Sequence, residues 1–266
     1  MKKTLPIKTV YDADEHNDEF SSAIITPKRI DENWQYVRRG FWWSVKRFIS
    51  YRLLAHPLGY LFCRCKLGWR VIGRNKRKLL FDKKQGYFIF GNHTQETADA
   101  FIPSLSFCPK SVYVIVHPNN VSMPYLGRVT PYMGALPLPD NLSAARNFKQ
   151  AIRTRFEEGS AIMIYPEAHI WPYYTGIRNF PATSFRYPVE LNAPCFAMTT
   201  TYQKRKRGSK PRAVTYIDGP FYPDETLPPK ARAQDLRDRI YAQMKARSEL
   251  SDCEYIRYKP KDEEEK

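Results

Sequence analysis

In the run YFIFGNHTQETADAF an apolar stretch ends at Asn92 and His93, and two acids, Glu96 and Asp99, follow within six residues. A histidine removes a proton from a hydroxyl efficiently when one ring nitrogen is held by a carboxylate and the other presents a free lone pair. Glu96 and Asp99 are the two candidates for that carboxylate. The chemistry this grouping can perform is general-base activation of an acceptor hydroxyl. No serine or cysteine sits in a nucleophile-elbow pattern, so no covalent enzyme intermediate is expected. The five cysteines, Cys63, Cys65, Cys108, Cys195 and Cys253, show neither zinc-knuckle nor redox-dithiol spacing, so no metal is expected and the thiols read as free in a reducing compartment.

Three later blocks extend the pattern: YMGALPLPDN with Gly134 to Asp140, SAIMIYPEAHIWP with Tyr165, Pro166 and Glu167, and FPATSFRYPVELNAPCFAMTT with Pro194. In their order and rough separation, from about Phe88 to Thr200, the four blocks resemble the motifs of the glycerolipid acyltransferase superfamily, which includes bacterial lysophosphatidic acid acyltransferases. The resemblance implies that His93 is the base and that Asp99, one residue later than the usual acid, orients it. It implies substrate-binding roles for Asn92, Glu96 and Glu167. The family's arginine after the glutamate is replaced here, Ala168, His169 and Ile170 standing where Gly-Thr-Arg would be. Charge recognition would pass to Arg128, Arg178 or Arg186, with His169 as a second imidazole beside Glu167. The implied activity moves a fatty acyl group from acyl-CoA or acyl carrier protein to the hydroxyl of a lysophospholipid, foremost 1-acyl-sn-glycerol-3-phosphate, in phospholipid biosynthesis. No cofactor beyond the thioester co-substrate is implied.

The elements that must position these residues alternate between short β-rich runs and helical segments. The fold class expected is α/β, a mixed sheet flanked by helices, with an N-terminal amphipathic membrane-surface helical element. Strands are predicted at 70–72, 87–90, 112–116, 135–138, 161–165, 195–202 and 212–217. Helices are predicted at 94–107, 142–158, 184–192 and 230–250. Ahead of them, Trp34, Val37, Phe41, Val45, Phe48, Ile49 and Leu53 recur at steps of three and four, marking one apolar helix face. Residues 1–32 read as a flexible leader, 33–66 as the membrane-association element, 67–255 as the α/β acyltransferase domain and 256–266 as a charged tail.

A formal net charge of +16 calls for an anionic partner. Between Asn33 and Leu80 twelve Lys or Arg occur without one Asp or Glu. Basic and aromatic residues together suit an interfacial helix on anionic lipid, so a peripheral, monotopic position on the cytoplasmic face of the cell membrane is expected. The opening MKKTLPIKTVYDADEHNDEF lacks the apolar core of a secretory signal, and no run reaches the roughly 20 apolar residues of a spanning helix. Lys204, Arg205, Lys206 and Arg207, with Lys210 and Arg212, could suggest nucleic acid, but they lie between two predicted strands and read as a hairpin loop. No zinc finger, glycine-rich RNA motif or basic repeat accompanies them, so nucleic acid is not an expected partner.

Overall fold

The computed structural model describes residues 8–12, 26–73, 84–205 and 210–261. Among the described residues nine strands form two sheets: β1 (Lys8–Asp12), β2 (Arg70–Ile72), β3 (Tyr87–Gly91), β4 (Val112–Val116), β5 (Ala135–Pro137), β6 (Ala161–Ile164), β7 (Cys195–Gln203), β8 (Arg212–Phe221) and β9 (Ile256–Pro260). The main sheet has seven strands in the order β2-β8-β7-β3-β6-β4-β5. Its neighbours run parallel except for the antiparallel β7–β8 pair. The predicted mixed sheet with flanking helices is therefore the observed architecture.

Strand β3 lies at the centre, between β6 and β7, and every one of its residues is buried. A strand covered on both faces reads as an unbroken apolar run, and YFIFG is one. Phe88 and Phe90 point into one core layer with Phe148, Phe185 and Ile240. Tyr87 and Ile89 point into the other with Trp69, Ile102 and Met198. The first layer is covered by α4 (Asn119–Ser122), α5 (Leu142–Glu157), α6 (Arg186–Glu190) and α7 (Pro229–Ser248), where Val121, Ile152, Val189 and Leu236 reach the core. Asn141 caps α5, its side chain accepting the Ala144 N–H.

The N-terminal helical element begins later than expected, with α1 (Phe41–Arg47), passes through a π-helical stretch (Phe48–Ala55) and continues as α2 (His56–Leu67). Gly40, at φ 117, sets its entry, and Trp34 and Val37 pack against the sheet core instead of extending the helix. Pro57 does not interrupt it. The wider π-helical turns just before the proline are the kind of local adjustment that accommodates a missing amide donor. Phe41, Trp42, Phe48, Leu53, Leu58 and Leu61 are between 55% and 74% exposed. Among the described residues no helix is long and apolar enough to cross a membrane.

The predicted helix 94–107 is broken. A turn and one 3-10 turn (Ala98–Ala100) occupy its first half, and only α3 (Ile102–Ser106), with Pro103 in its first turn, is α-helical. The leader and the tail also depart from expectation, because β1 and β9 pair in parallel, Lys8 opposite Ile256 through Asp12 opposite Pro260. Ile30 is fully buried, and its N–H donates to Asp140. Backbone pairing between the two ends of the chain leaves no periodic trace in either segment alone. The remainder of the expected leader, and the tail beyond residue 261, lie outside the described residues.

Phe90 is fully buried and stacks on Phe185 at 3.9 Å between ring centres. Phe90→Ala is expected to lower the unfolding free energy by about 3–5 kcal/mol. Urea denaturation with an unchanged slope checks this; a loss below about 1 kcal/mol would contradict the described packing.

Candidate active site

The site grows from the C-terminal end of β3. Asn92 follows the strand directly, and its side-chain amide imitates a peptide unit: Nδ2 donates to the Thr200 carbonyl at 2.9 Å while Oδ1 accepts the Thr200 N–H at 2.8 Å. This extends the β3–β7 ladder by one side-chain rung and fixes where the chain turns. Asn92 is 1% exposed with both amide groups occupied, so it positions the site and does not offer itself to a substrate as the resemblance implied.

His93 comes next, half-buried, with 24% of its side chain open to solvent. Its Nδ1 lies 2.8 Å from Asp99 Oδ2. A carboxylate oxygen only accepts, so Nδ1 donates, and on a neutral ring Nε2 keeps its lone pair. The same Asp99 oxygen accepts the N–H groups of Thr94 and Gln95, each at 2.9 Å. Those amides are spent on a side chain, which is why the predicted helix does not start at Thr94. The turn also carries Asp99 back to the ring despite its extra residue of spacing. Glu96 is exposed, and Asp99 is the acid at the imidazole.

The ring rests on Tyr165, centroids 4.4 Å apart and planes 19° from parallel. Tyr165 in turn donates its hydroxyl proton to the Asp99 carbonyl at 2.7 Å. Burial, and secondarily the Asp99 charge, hold that hydroxyl well above its usual titration range, so it stays a donor. Beneath Asp99, the buried Cys63 thiol is pushed up to about 12, first by burial and then by the same carboxylate. It is inert as a nucleophile.

Glu167 follows β6 as His93 follows β3, and the parallel β3–β6 register brings the two together. One Glu167 oxygen accepts the His93 N–H at 3.1 Å and the other accepts the Arg178 N–H at 3.1 Å. The Arg178 guanidinium lies 3.5 Å from Glu167, and the two side chains are 1% and 0% exposed. Burial raises the Glu167 pKa, while the Arg178 charge and the two amide donors pull the other way. Arg178 also donates to the His169 carbonyl and packs 4.9 Å from the Trp171 ring centre. The expectation that Glu167 and Arg178 bind substrate is therefore corrected: they form a buried brace that sets the His93 backbone.

The loop after Glu167 closes against the His93 turn, with Trp171 N–H donating to the His93 carbonyl at 3.1 Å and Tyr173 N–H to the Thr94 carbonyl at 2.9 Å. Tyr202 from β7 ties in Thr94 and Gln95 through its hydroxyl. From β9, Tyr258 stacks on Trp171 at 4.7 Å and donates to the Pro172 carbonyl. Tyr165 stood in the sequence only as part of the third motif block, without a role at the ring, and Tyr202 and Tyr258 were missed because lone aromatics carry no positional signal. His169 is half-buried, its N–H donating to the Glu167 carbonyl at 2.8 Å. Arg128 is exposed on a 3-10 turn (Leu126–Arg128). Arg186 is exposed and follows Phe185, which stacks on Phe90 in the core layer opposite the one below His93. Neither arginine is among the hydrogen-bonding partners of the His93 turn.

This chain is similar in structure to the 1-acyl-sn-glycerophosphate (LPA) acyltransferase PlsC from Thermotoga maritima, with a TM-score of 0.52 over 79% of this chain and 84% of that one, at 13% identity. The two proteins share a fold. No protein-family model and no curated protein sequence matches the chain.

Removing one member of a buried ion pair strands the other charge, at a cost of about 3–5 kcal/mol. Glu167→Gln is expected to destabilise by that order in thermal or urea unfolding, and adding Arg178→Met should recover part of the loss. A near-neutral single variant would contradict the brace.

Proposed function

We propose that the protein is a glycerolipid acyltransferase that moves a fatty acyl group from acyl-CoA or acyl carrier protein to the hydroxyl of a lysophospholipid, foremost 1-acyl-sn-glycerol-3-phosphate. The single observation that supports this best is the His93–Asp99 pair at the end of a central strand, with Nδ1 anchored and Nε2 free. In this reading Nε2 takes the proton of the acceptor hydroxyl as its oxygen attacks the thioester carbonyl. Asp99 steadies the imidazolium that forms. Collapse of the tetrahedral intermediate breaks the carbon–sulfur bond, and the imidazolium returns its proton to the departing thiolate. The fold shared with PlsC, whose name records an acyltransferase for 1-acyl-sn-glycerophosphate, supports the same reading.

A lysolipid acceptor resides in a bilayer, and the helical segment from Phe41 to Leu67 supplies the contact. Its exposed aromatic and leucine side chains enter the interface, while Lys46, Lys66 and their basic neighbours lie near anionic headgroups, each adding about 1 kcal/mol. The membrane face is the cytoplasmic one. An acceptor with a different headgroup is a second reading, favoured by Ile170, which is apolar and 5% exposed where the resemblance calls for a phosphate-binding arginine.

His93→Gln in the full chain is expected to lower transfer from a radiolabelled acyl thioester about 100- to 10,000-fold. Wild-type rates in that variant would refute the base. A panel of lysophosphatidic acid and lysophospholipids with larger headgroups then ranks the acceptors. For the membrane contact, the triple variant Trp42→Glu, Leu53→Glu and Leu58→Glu should lose flotation with anionic liposomes that carry the unmodified chain; equal flotation of both would remove the helix from that role.

A further inference from the structure

The basic run between β7 and β8 has no part in the acyl-transfer reading, yet its described ends frame a site. Gln203 pairs with Arg212 across the antiparallel ladder, and Arg205 follows β7 by two residues. Strand β7 runs parallel to β3, Gly91 opposite Met198, so the chain beyond Gln203 leaves the sheet at the edge that carries His93. Tyr173, whose amide bonds the turn after His93, is close enough to couple electrostatically to Arg205. Arg205 is therefore next to the loops that frame the imidazole.

Among the described residues no carboxylate offsets the charge at this edge. Arg205 and Arg212 repel one another, and among the described residues neither guanidinium has a carboxylate partner. Asp252, the acid that caps the segment, accepts instead from the Lys204 N–H at 2.7 Å. Arg205 gives one bond, from Nη2 to the Lys66 carbonyl at 2.9 Å. The Nε atoms of both arginines are shielded from solvent without an acceptor among the described residues. Of the five donors each guanidinium carries, Nε is thus the one shut off from both water and an acceptor. The approach of Arg205 is also built in: at Gly68, φ 55, a β-carbon would lie 2.9 Å from Nη2. Two half-buried like charges held together, each with a shielded donor, cost free energy unless an anion joins them, and planar guanidinium forks match phosphate oxygens.

We propose that Arg205 and Arg212 form an anion site at the β7–β8 edge, beside the loops that frame the His93 imidazole, that takes a phosphate monoester. The assignment rests on the acyl-transfer reading for its source, since two reactants carry that group: the headgroup of 1-acyl-sn-glycerol-3-phosphate and the 3′-phosphate of coenzyme A. The site takes over at the β7–β8 edge the charge recognition that Ile170 cannot perform.

Calorimetric titration of the full chain with sn-glycerol 3-phosphate and, separately, adenosine 3′,5′-bisphosphate tests it without any acyl transfer. The wild-type chain is expected to bind at least one, the tighter probe naming the source. Loss of a charge-assisted pair should weaken binding about tenfold or more in Arg205→Gln and in Arg212→Gln, and less in Arg205→Lys. If Arg212→Gln melts early, Arg205→Gln, at a loop end, carries the test. Binding of neither probe, or undiminished binding in Arg205→Gln, overturns the site even if the chain transfers acyl groups. Arginine-dependent binding in a chain with no transferase activity upholds the site and sinks the acyl-transfer reading instead.

Discussion

One carboxylate oxygen holds the candidate site together. Asp99 Oδ2 gathers the His93 ring N–H and the amides of Thr94 and Gln95, so a single acceptor fixes both the imidazole and the turn that carries it. Bonds to an ionised acceptor contribute about 1.5–3 kcal/mol each, enough to outweigh the helix that local propensity favours over the same residues. The β3 strand end, the broken helix and the free Nε2 follow from that contact. The geometry of the candidate site is thus local in sequence even though the walls around it are not.

The walls come from distant segments, and each is tied through backbone groups. Asn92 borrows a rung of β7, Glu167 caps the His93 amide from the end of β6, and the Trp171 and Tyr173 amides close on His93 and Thr94. The buried Glu167–Arg178 pair would be costly in isolation, and it is tolerated because both partners also bind main-chain groups. Tyr258 then links the outermost strand pair to the same loop. A tail strand thereby becomes part of the support for a central histidine.

The parts of this arrangement legible in the sequence are those with short-range signatures. The apolar run before Asn92, the strands at 70–72 and 112–116, and the long helices α5 and α7 were found because burial on both faces or on one helix face leaves a periodic trace. Asp99 was identified as the orienting acid through resemblance, and the turn geometry shows how one extra residue is absorbed. Arg178 was misread because an arginine in a buried brace and one awaiting phosphate look alike as letters; only its burial separates them. The β1–β9 pair was invisible because neither five-residue segment is apolar enough to announce a strand. The helix expected from 33 starts at 41 because Gly40 and the packing of Trp34 and Val37 decide its entry, an outcome that periodicity in those residues could not reveal.

The exposed apolar helix and the arginines at the β7–β8 edge bear on where reactants would approach, but both matter only if the imidazole is poised as described. Proton-detected NMR of the full chain labelled with 15N-histidine measures that directly at neutral pH. A downfield proton on the Nδ1 of His93, with Nε2 unprotonated, and its loss in Asp99→Asn are the expected result. A protonated Nε2 on a neutral ring, or a spectrum indifferent to Asp99→Asn, would contradict the account.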